Sequence, residues 1–354
     1  MSRFLSSKYA SLVPYTPGEQ PKILNVTKLN TNECPFPPSE KALAWAAAHT
    51  RPLNLYPELL CGDLRAKLGA LYGLGAENIV LGNGSDELLY FVFLAYCDAQ
   101  HGAAFPSISY GFYPVYAAFT GIPCLEVPLR EDFSVAPEDY FGLGRTIVIA
   151  NPNAPTGICL TPAEVETILQ KNPDSVVVID EAYIDFGGET CMPLIGKYDN
   201  LLVIQTFSKS RSMAGARLGF AAGNPALIAD LNAVIFSINP YNINSMTLAL
   251  GLGVLEDEET TRKNCRTIMD NRAYTVAELK KLGFTVLPSC ANFVFAASDR
   301  IGGKELYLQL KERGVLIRHF DKDGISNFNR ITIGTREQMD ILLQNIREIL
   351  EEGV

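Results

Sequence analysis

The most constraining feature of this sequence is a continuous run of mostly β-branched residues at 175–179 (SVVVI). A strand this uniformly apolar is buried on both faces, which is typical of the interior of a parallel sheet. Other short apolar runs occur at 79–81, 103–105 and 146–150, and segments with helical periodicity lie between them. This alternation predicts an α/β fold, in which a mostly parallel central sheet has helices on both faces.

The composition shifts toward Asn, Pro and Ser at residues 237–244. A long helical stretch is predicted at 245–282, broken near 257–260, and short strands mixed with helices follow it. That order is typical of a smaller α+β domain. Residues 1–30 contain several prolines and are predicted to be irregular. The predicted division is an N-terminal arm at 1–30, a large domain at 31–245 and a small C-terminal domain at 246–354.

The charge balance argues against several classes of protein. The 354 residues carry a formal net charge of −9, whereas proteins that bind nucleic acids or anionic membranes present a basic face. The start of the chain lacks the apolar core of a secretory signal, and the longest apolar run, at 88–97, is about half a membrane span. The eight cysteines form no C-x-x-C pair, which argues against zinc and disulfide frameworks. A cytoplasmic protein without a metal is therefore expected.

A lysine stands directly after the strand predicted at residues 201–207. Ligands of α/β proteins bind at the carboxyl ends of strands, and partial burial there favours the neutral amine that Schiff-base chemistry requires. Ser208 and Arg217 lie close to Lys209 in sequence and are residue types that hold a phosphate. The alternative is a lysine that ends a strand in solvent. Five other segments that fit the same site favour the functional interpretation.

Asp180 directly follows the run at 175–179. A buried carboxylate needs a partner or must become neutral, and a helix cap or a structural hydrogen bond would satisfy it. An apolar run ending in Asp-Glu also resembles the metal-binding strand of nucleotide hydrolases, but the sequence has no G-x-x-x-x-G-K-[ST] loop. The other functional interpretation is an aspartate that pairs with a protonated pyridinium nitrogen, with Tyr183 within reach of the same ring.

Several further polar and aromatic residues fall at predicted turns and strand ends. Ser85 and Asp86 open a helix after a Gly-rich turn, where free N–H groups and the helix dipole favour an anion. Tyr110 would stack on a planar ring from its loop, or pack in an aromatic core. Arg330 is predicted to begin a strand and Arg318 to end one. Such arginines bind a substrate carboxylate or phosphate, or form surface salt bridges.

Together these segments resemble the fold-type I pyridoxal-phosphate aminotransferases, and among them most closely the histidinol-phosphate aminotransferases. The matching motifs occur in family order and span residues 12–335, nearly the whole chain. They are LVPYTPG (12–18), NTNE (30–33), LYP (55–57), GNGSDEL (82–88), SYGFY (109–113), NPNAPTG (151–157), DEAY (180–183), TFSKS (206–210), GAR (215–217), ANF (291–293) and RITIGT (330–335). The cofactor motifs are specific for the superfamily, whereas the substrate assignment rests on motifs near the two ends of the chain.

The resemblance implies pyridoxal 5′-phosphate as the cofactor and a role for each candidate residue. Lys209 would form the Schiff base and move a proton between the substrate carbon and the cofactor. Asp180 would keep the ring nitrogen protonated, Tyr183 would contact the ring hydroxyl and Tyr110 would stack on the ring. The residues implied to hold the cofactor phosphate are Ser85, Asp86, Ser208, Arg217 and, from the neighbouring subunit of a homodimer with shared sites, Tyr56. The residues implied to bind the substrate are Tyr15, Asn32, Arg330 and Arg318.

Two positions depart from the family pattern. The family's asparagine before Pro-Thr-Gly contacts the ring hydroxyl, and here that residue is Ala154. Either Asn153 replaces that contact or Tyr183 makes it alone. Cys34 stands where the family has a second asparagine after the Asn-Glu pair.

The resemblance implies a transaminase that acts on L-histidinol phosphate and 2-oxoglutarate and produces imidazole-acetol phosphate and L-glutamate. An aromatic-amino-acid aminotransferase and a threonine-phosphate decarboxylase have the same fold and remain alternatives. A non-catalytic ligand-binding protein on this fold is a further alternative. The presence of Lys209, Asp180 and Arg217 together favours an enzyme. The expected partners are small-molecule substrates and a second copy of the chain, with no nucleic acid and no membrane.

Overall fold

The computed structural model describes residues 3–9, 12–13, 18–19 and 26–352. Its α-helices are α1 (Glu40–His49), α2 (Gly62–Tyr72), α3 (Ser85–Tyr96), α4 (Tyr113–Thr120), α5 (Pro162–Lys171), α6 (Pro225–Ile238), α7 (Ser245–Leu255), α8 (Glu258–Lys281), α9 (Gly303–Glu312) and α10 (Arg336–Glu352). Its strands are β1 (Thr27–Lys28), β2 (Ile79–Gly82), β3 (Ala103–Pro106), β4 (Cys124–Val127), β5 (Thr146–Ala150), β6 (Val177–Asp180), β7 (Leu201–Thr206), β8 (Gly219–Gly223), β9 (Phe284–Val286), β10 (Phe293–Ser298), β11 (Val315–Leu316), β12 (Arg318–His319) and β13 (Asn329–Thr332).

The large sheet has seven strands in the order β2-β8-β7-β6-β5-β3-β4. The strands from β7 to β4 are parallel, and β8 runs antiparallel to both of its neighbours. Alternate residues of the central strands belong to two separate hydrophobic clusters, as Val177 and Val178 illustrate. One cluster contains buried residues of α2 and α5, and the other contains buried residues of α3, α4 and α6. The predicted α/β fold, with helices on both faces of the sheet, is confirmed.

A second, antiparallel sheet has the order β12-β13-β10-β9. Its core contains Val294 from the sheet and Ile268, Leu306 and Leu342 from α8, α9 and α10. The predicted smaller α+β unit is therefore present, and the predicted break in the helical stretch lies between α7 and α8. The domain boundary at residue 245 stays a prediction, because α7 contributes Val254 to the large-sheet core.

Two expectations about local structure are wrong. Residues 1–30 are not entirely irregular, since β1 pairs in parallel with β11. Arg318 does not end a strand: β11 stops at Leu316 and Arg318 begins β12, which pairs with β13. Backbone hydrogen bonds then continue on both sides of Leu29, to Leu316 and to Thr332. The segment after β1 is thereby fixed against the small sheet.

The helix α3 contains most of the longest apolar run of the sequence. Its buried side chains, among them Leu88 and Phe91, pack against the large sheet, as predicted for a core helix. Within the described residues, no helix is long and apolar enough to cross a membrane.

Candidate active site

A cavity of about 100 Å³ lies where β5, β6 and β7 end. Parallel neighbours place their carboxyl ends at the same edge of a sheet, which is why residues distant in sequence meet there. The residues that line it are Ser85, Asp86, Tyr110, Ala150, Ala154, Asp180, Ala182, Tyr183, Thr206, Ser208, Lys209 and Arg217. Eight of the residues predicted from the sequence therefore meet at one site.

Lys209 lies three residues beyond the end of β7 and is half-buried. Its Nζ donates a hydrogen bond to the carbonyl oxygen of Thr31 at 3.1 Å. It also stands 5.8 Å from the centre of the Tyr183 ring. The amine therefore lies between the large-sheet loops and the segment that follows β1, and the alternative position in solvent is excluded.

Asp180 is the last residue of β6 and only 5% of it is exposed. Burial raises the pKa of its carboxyl to about 6, against the opposing effect of a hydrogen bond from Tyr113. The Tyr113 hydroxyl donates to Asp180 Oδ2 at 2.9 Å, and the Ala182 N–H donates to Oδ1 at 3.2 Å. A cation beside this carboxylate would offset the cost of its burial, which suits a protonated ring nitrogen.

Tyr113 contacts Asp180, which the sequence interpretation missed. It is fully buried, and its spacing of three residues from Tyr116 is typical of an aromatic core position on a helix. It does lie in that core, packed edge-on against Tyr110. The signal that points to more is its place within SYGFY, four residues from Ser109 in a motif otherwise assigned to the site. Only the fold reveals that its hydroxyl reaches Asp180.

Glu181, the residue after Asp180, points into the protein instead. Its carboxylate accepts hydrogen bonds from Thr190 Oγ1, the Cys191 N–H and Gln205 Nε2 at 2.6–2.8 Å. Burial raises its pKa to about 7, and these hydrogen bonds act in the opposite direction. Two adjacent carboxylates at one strand end therefore have different surroundings, and only that of Asp180 lines the cavity.

An anion cradle forms the side of the cavity next to α3. The first N–H groups of a helix have no partner within the helix, and Ser85 opens α3. Arg217 donates to Ser208 Oγ at 3.4 Å and to Asp86 Oδ2 at 3.1 Å. Gly84 has φ +87°, and a Cβ on it would lie 2.6 Å from the Arg217 guanidinium. The turn thus needs glycine to let these donors converge.

Tyr110 lines the same cavity, and its hydroxyl donates to Asp86 Oδ1 at 2.6 Å. Asp86 therefore accepts hydrogen bonds from both Tyr110 and Arg217. This arrangement fixes the guanidinium in place and holds the Tyr110 ring at the cavity wall.

Arg330 and Asn32 lie beside the cavity and do not line it. Arg330 donates to the carbonyl oxygen of Asn30 at 3.0 Å, and its guanidinium stands 5.5 Å from the centre of the Phe293 ring. Asn32 is 1% exposed, and its Nδ2 donates to the Tyr183 hydroxyl at 3.0 Å. Both residues thus hold the segment around residue 31 against the small sheet.

Three other predicted residues, all described in the structure, do not line the cavity. The Asn153 side chain accepts from Ser109 Oγ and donates to Ile108 O and Thr156 Oγ1, so Ala154 faces the cavity instead. Tyr56 is 80% exposed, and Arg318 stands 5.5 Å from the centre of the Phe320 ring. Tyr15 lies outside the described residues.

These donors fit pyridoxal phosphate as a set. An anion cradle, an amine and a buried carboxyl with a raised pKa lie around one small cavity, and an aromatic ring forms one wall. Those are the partners required by a phosphate, an aldehyde, a basic ring nitrogen and a flat ring. Among the described residues, no group of three or more His, Cys, Asp or Glu side chains is placed to hold a metal ion.

Comparison with known proteins gives consistent results. The family model "Aminotransferase class I and II" matches residues 25–346. Curated proteins named histidinol-phosphate aminotransferase, from Brachyspira hyodysenteriae and Aromatoleum aromaticum, are each 45% identical over 99% of this chain and 100% of their own length. A protein from Bordetella parapertussis named histidinol-phosphate aminotransferase 1 is 46% identical over 99% of both chains.

Solved structures show the same fold. A putative histidinol-phosphate aminotransferase from Erwinia carotovora atroseptica has a TM-score of 0.85 and 26% identity, over 93% of this chain and 97% of its own. L-threonine-O-3-phosphate decarboxylase from Porphyromonas gingivalis has a TM-score of 0.78 and 22% identity, over 92% of this chain and 99% of its own. The fold alone therefore does not choose between the two reactions.

Proposed function

Since the chain belongs to the class I and II aminotransferases, we propose that it is a histidinol-phosphate aminotransferase. It would transfer the amino group of L-histidinol phosphate to 2-oxoglutarate and release imidazole-acetol phosphate and L-glutamate. The observation that carries this proposal is similarity over the full length: relatives with that name are 45% identical over 99% of the chain. The cofactor is pyridoxal phosphate, and the cavity described above fits it.

Bound pyridoxal phosphate supplies an electron-withdrawing ring that stabilises negative charge on the substrate carbon. Asp180 would keep the ring nitrogen protonated, because an adjacent cation favours the ionised form of a buried carboxyl. Tyr113 and the Ala182 N–H would hold the two carboxylate oxygens in position. Asp180 would thus stay ionised and aligned to hold the proton on the ring nitrogen.

Lys209 would be the group that moves the proton. Its neutral amine would take the proton from the substrate carbon and return it to the cofactor carbon two atoms away. The carbonyl oxygen of Thr31 accepts from this amine at 3.1 Å, so the free lysine has a resting position close to the cavity. That contact supports the proposal that Lys209 stays near the reacting atoms and acts as the base.

The cofactor phosphate would bind in the anion cradle. Ser85 and Asp86 would present backbone N–H groups, Ser208 a hydroxyl and Arg217 a guanidinium. The contact between Arg217 and Asp86 holds the guanidinium in place, so little reorganisation is required when the phosphate binds.

Arg330 would bind the substrate carboxylate of glutamate or 2-oxoglutarate. Its guanidinium stands 5.5 Å from the centre of the Phe293 ring and 5.7 Å from that of Phe320. A planar guanidinium held between rings presents a fixed fork to a carboxylate. Tyr15, Asn32 and Arg318 remain predicted substrate contacts.

A homodimer is the second part of this proposal. Leu53, Leu55 and Met246 are each more than half exposed, and Tyr56 stacks on Tyr241 at 4.6 Å between ring centres. A groove of about 620 Å³ lined by residues of α1, α2 and α7 lies on the same side. Extended apolar surfaces of this kind favour an interface, and it would carry Tyr56 to the phosphate site of the partner subunit. The cytoplasmic location remains a prediction from the sequence.

The substrate assignment is tested by absorption spectroscopy. The purified protein is loaded with pyridoxal phosphate and mixed with L-histidinol phosphate. The visible band of the lysine-bound cofactor should disappear and should return on addition of 2-oxoglutarate. O-Phospho-L-threonine and L-phenylalanine, added separately, should have much weaker effects.

Other outcomes test the substrate, the reaction type and the dimer separately. A band that responds only to phenylalanine would make the chain an aromatic aminotransferase. Release of carbon dioxide from phosphothreonine would make it a decarboxylase. Sedimentation equilibrium should give about twice the chain mass of 38.8 kDa, and a monomer would contradict the shared site.

A further inference from the structure

The Tyr183 hydroxyl accepts a hydrogen bond that comes from outside the cavity. Asn32 Nδ2 donates to it at 3.0 Å. A phenol oxygen that accepts in this way keeps its own proton for donation elsewhere. The ring packs edge-on against Phe293, with centroids 5.1 Å apart and planes at 90°, and it lines the cavity. The remaining proton is therefore directed toward the cavity.

Thr332 determines which way the Asn32 amide faces. The Asn32 backbone N–H donates to Thr332 Oγ1 at 3.0 Å, which occupies that oxygen as an acceptor. The Thr332 hydroxyl then donates its own proton to Asn32 Oδ1, also at 3.0 Å. Because Oδ1 is thus the acceptor on the Thr332 side, the NH₂ group faces Tyr183. The direction of one hydrogen bond fixes the next.

The backbone around Asn32 is adapted to this position. Asn32 has φ +56°, in the left-handed region that asparagine tolerates better than most residues. Its carbonyl oxygen accepts from Asn292 Nδ2 at 2.9 Å. The residue is therefore held at its side chain and at both backbone polar groups, and 1% of it is exposed.

Beside Tyr183, the position at which the family has an asparagine is occupied by Ala154, whose side chain offers no hydrogen-bond donor to the cavity. Ala154 packs with Tyr183, Ala291 and Phe293 in an apolar cluster. Both Asn153 Nδ2 contacts are made away from the cavity, to Ile108 and Thr156. The direction of the Tyr183 hydroxyl proton therefore decides whether this part of the cavity offers a hydrogen-bond donor.

We propose that Asn32 and Thr332 are positioning residues that orient the Tyr183 hydroxyl proton toward the ring oxygen of the cofactor. Asn32 acts through Tyr183 in this arrangement, and its predicted contact with the substrate is a separate role. The inference rests on the proposed function, since it requires bound pyridoxal phosphate. A hydrogen bond donated to the ring oxygen stabilises its negative charge and so favours loss of the proton from the lysine-bound nitrogen.

The test is a pH titration of the cofactor absorption band in the loaded protein. Asn32→Asp keeps the size and the tolerance for positive φ but replaces the donor with an acceptor, so the Tyr183 proton turns away from the ring. The midpoint of the titration should rise by about one to two pH units, as expected for loss of a hydrogen bond to a charged group. Tyr183→Phe should give a rise of similar size.

A double variant separates orientation from charge. The new carboxylate raises the midpoint by itself, so Asn32→Asp is repeated in the Tyr183→Phe protein, where most of the shift should vanish. Thr332→Val, which adds no charge, should raise the midpoint in the Tyr183 protein alone. Thr332→Ser, which retains the hydroxyl, should titrate like the wild type.

Equal shifts with and without the Tyr183 hydroxyl, or no shift in Asn32→Asp and Thr332→Val, would overturn the inference and leave the proposed function intact. A wild-type protein that shows no band with added pyridoxal phosphate would overturn both. Thermal melting of each variant identifies loss of fold, and Thr332→Val alone decides the matter if Asn32→Asp does not fold.

Discussion

The two walls of the cavity are built in different ways. The large-sheet wall consists of strand ends and the loops that follow them, with Asp180, Lys209 and Ser85 among its polar groups. The opposite wall, as we call the side whose residues stand beside the cavity without lining it, joins the segment after β1 to the small sheet. It does so through contacts such as those of Asn32 with Thr332, 300 residues apart. The comparison shows that the sheet edge positions the candidate reactive side chains, while long-range polar contacts orient the residues on the opposite side.

The largest effect should come from the lysine of the large-sheet wall. Lys209→Ala should lower kcat by about 10⁴-fold or more, because both covalent attachment and proton transfer are lost. Steady-state turnover with L-histidinol phosphate measures it. Lys209→Arg keeps the charge and should be equally inactive. A variant that retains a tenth of wild-type kcat would contradict the assignment of Lys209 as the catalytic lysine.

The adjacent carboxylates of β6 offer a matched pair. Asp180→Asn should lower kcat by about 10³-fold, because the ring nitrogen loses its ionised partner. Glu181→Gln should leave kcat within a few-fold, since Glu181 contacts Thr190, Cys191 and Gln205 and not the cavity. Single-turnover spectroscopy distinguishes the two. Equal losses of kcat would mean that burial matters more than the direction of the side chain.

The same carboxyl makes the stability of the cofactor-free protein depend on pH. Its pKa is raised from 3.8 to about 6 on folding, so its contribution to stability is full below about pH 4 and is lost as the pH rises through about 6. Asp180→Asn should therefore gain on the order of 2 kcal/mol of unfolding free energy over the wild type between pH 4 and pH 8. Denaturant titrations at several pH values measure the difference, and a difference that stays constant with pH would rule out the Asp180 carboxyl as its source.

The opposite wall should affect substrate binding more than chemistry. Arg330→Lys should raise the KM for 2-oxoglutarate by roughly tenfold to a hundredfold, because an ammonium group cannot form the two-pronged contact. The effect on kcat should be smaller. Arg313→Lys, at exposed ion pairs with Glu348 and Glu352, is the matched control and should leave KM unchanged. A decrease in kcat without a change in KM would show that Arg330 acts in the chemical step instead of in substrate binding.

The smallest effect should come from the buried hydroxyl behind Asp180. Tyr113→Phe should weaken pyridoxal-phosphate binding about tenfold, because the ionised carboxylate loses one hydrogen bond. It should also raise the pKa of the Asp180 carboxyl further, since the Tyr113 contact opposes the effect of burial. Equilibrium dialysis measures the affinity, and Phe112→Leu, one residue earlier, tests for a general packing defect.

The sequence predicted the large-sheet wall well because its signals are local. An apolar strand with a polar residue at its end or within three residues of it predicts both the strand and the edge at which that residue lies. Asp180, Lys209 and Ser85 all follow this pattern, and the structure places them around one cavity. The residues of β8, Gly219–Gly223 with the sequence GFAAG, lack such a signal because small residues have weak strand preference.

The hydrogen-bond partners of individual side chains were predicted poorly, for a physical reason. The choice between Asn153 and Tyr183 depends on which nearby acceptors satisfy the Asn153 amide, and those are Ile108 and Thr156. Likewise, no spacing indicates that the Tyr113 hydroxyl reaches Asp180.

The sequence by itself determined which residue types follow which strands. From that pattern came the family, the cofactor and the choice of Lys209 as the reactive lysine. The tertiary structure alone decided how the hydrogen-bond donors are aimed. The Thr332 hydroxyl faces Asn32 and the Asn32 amide faces Tyr183 because segments about 150 and 300 residues apart pack together. Burial requires each of those polar groups to find a partner, and only the packed chain offers a particular one.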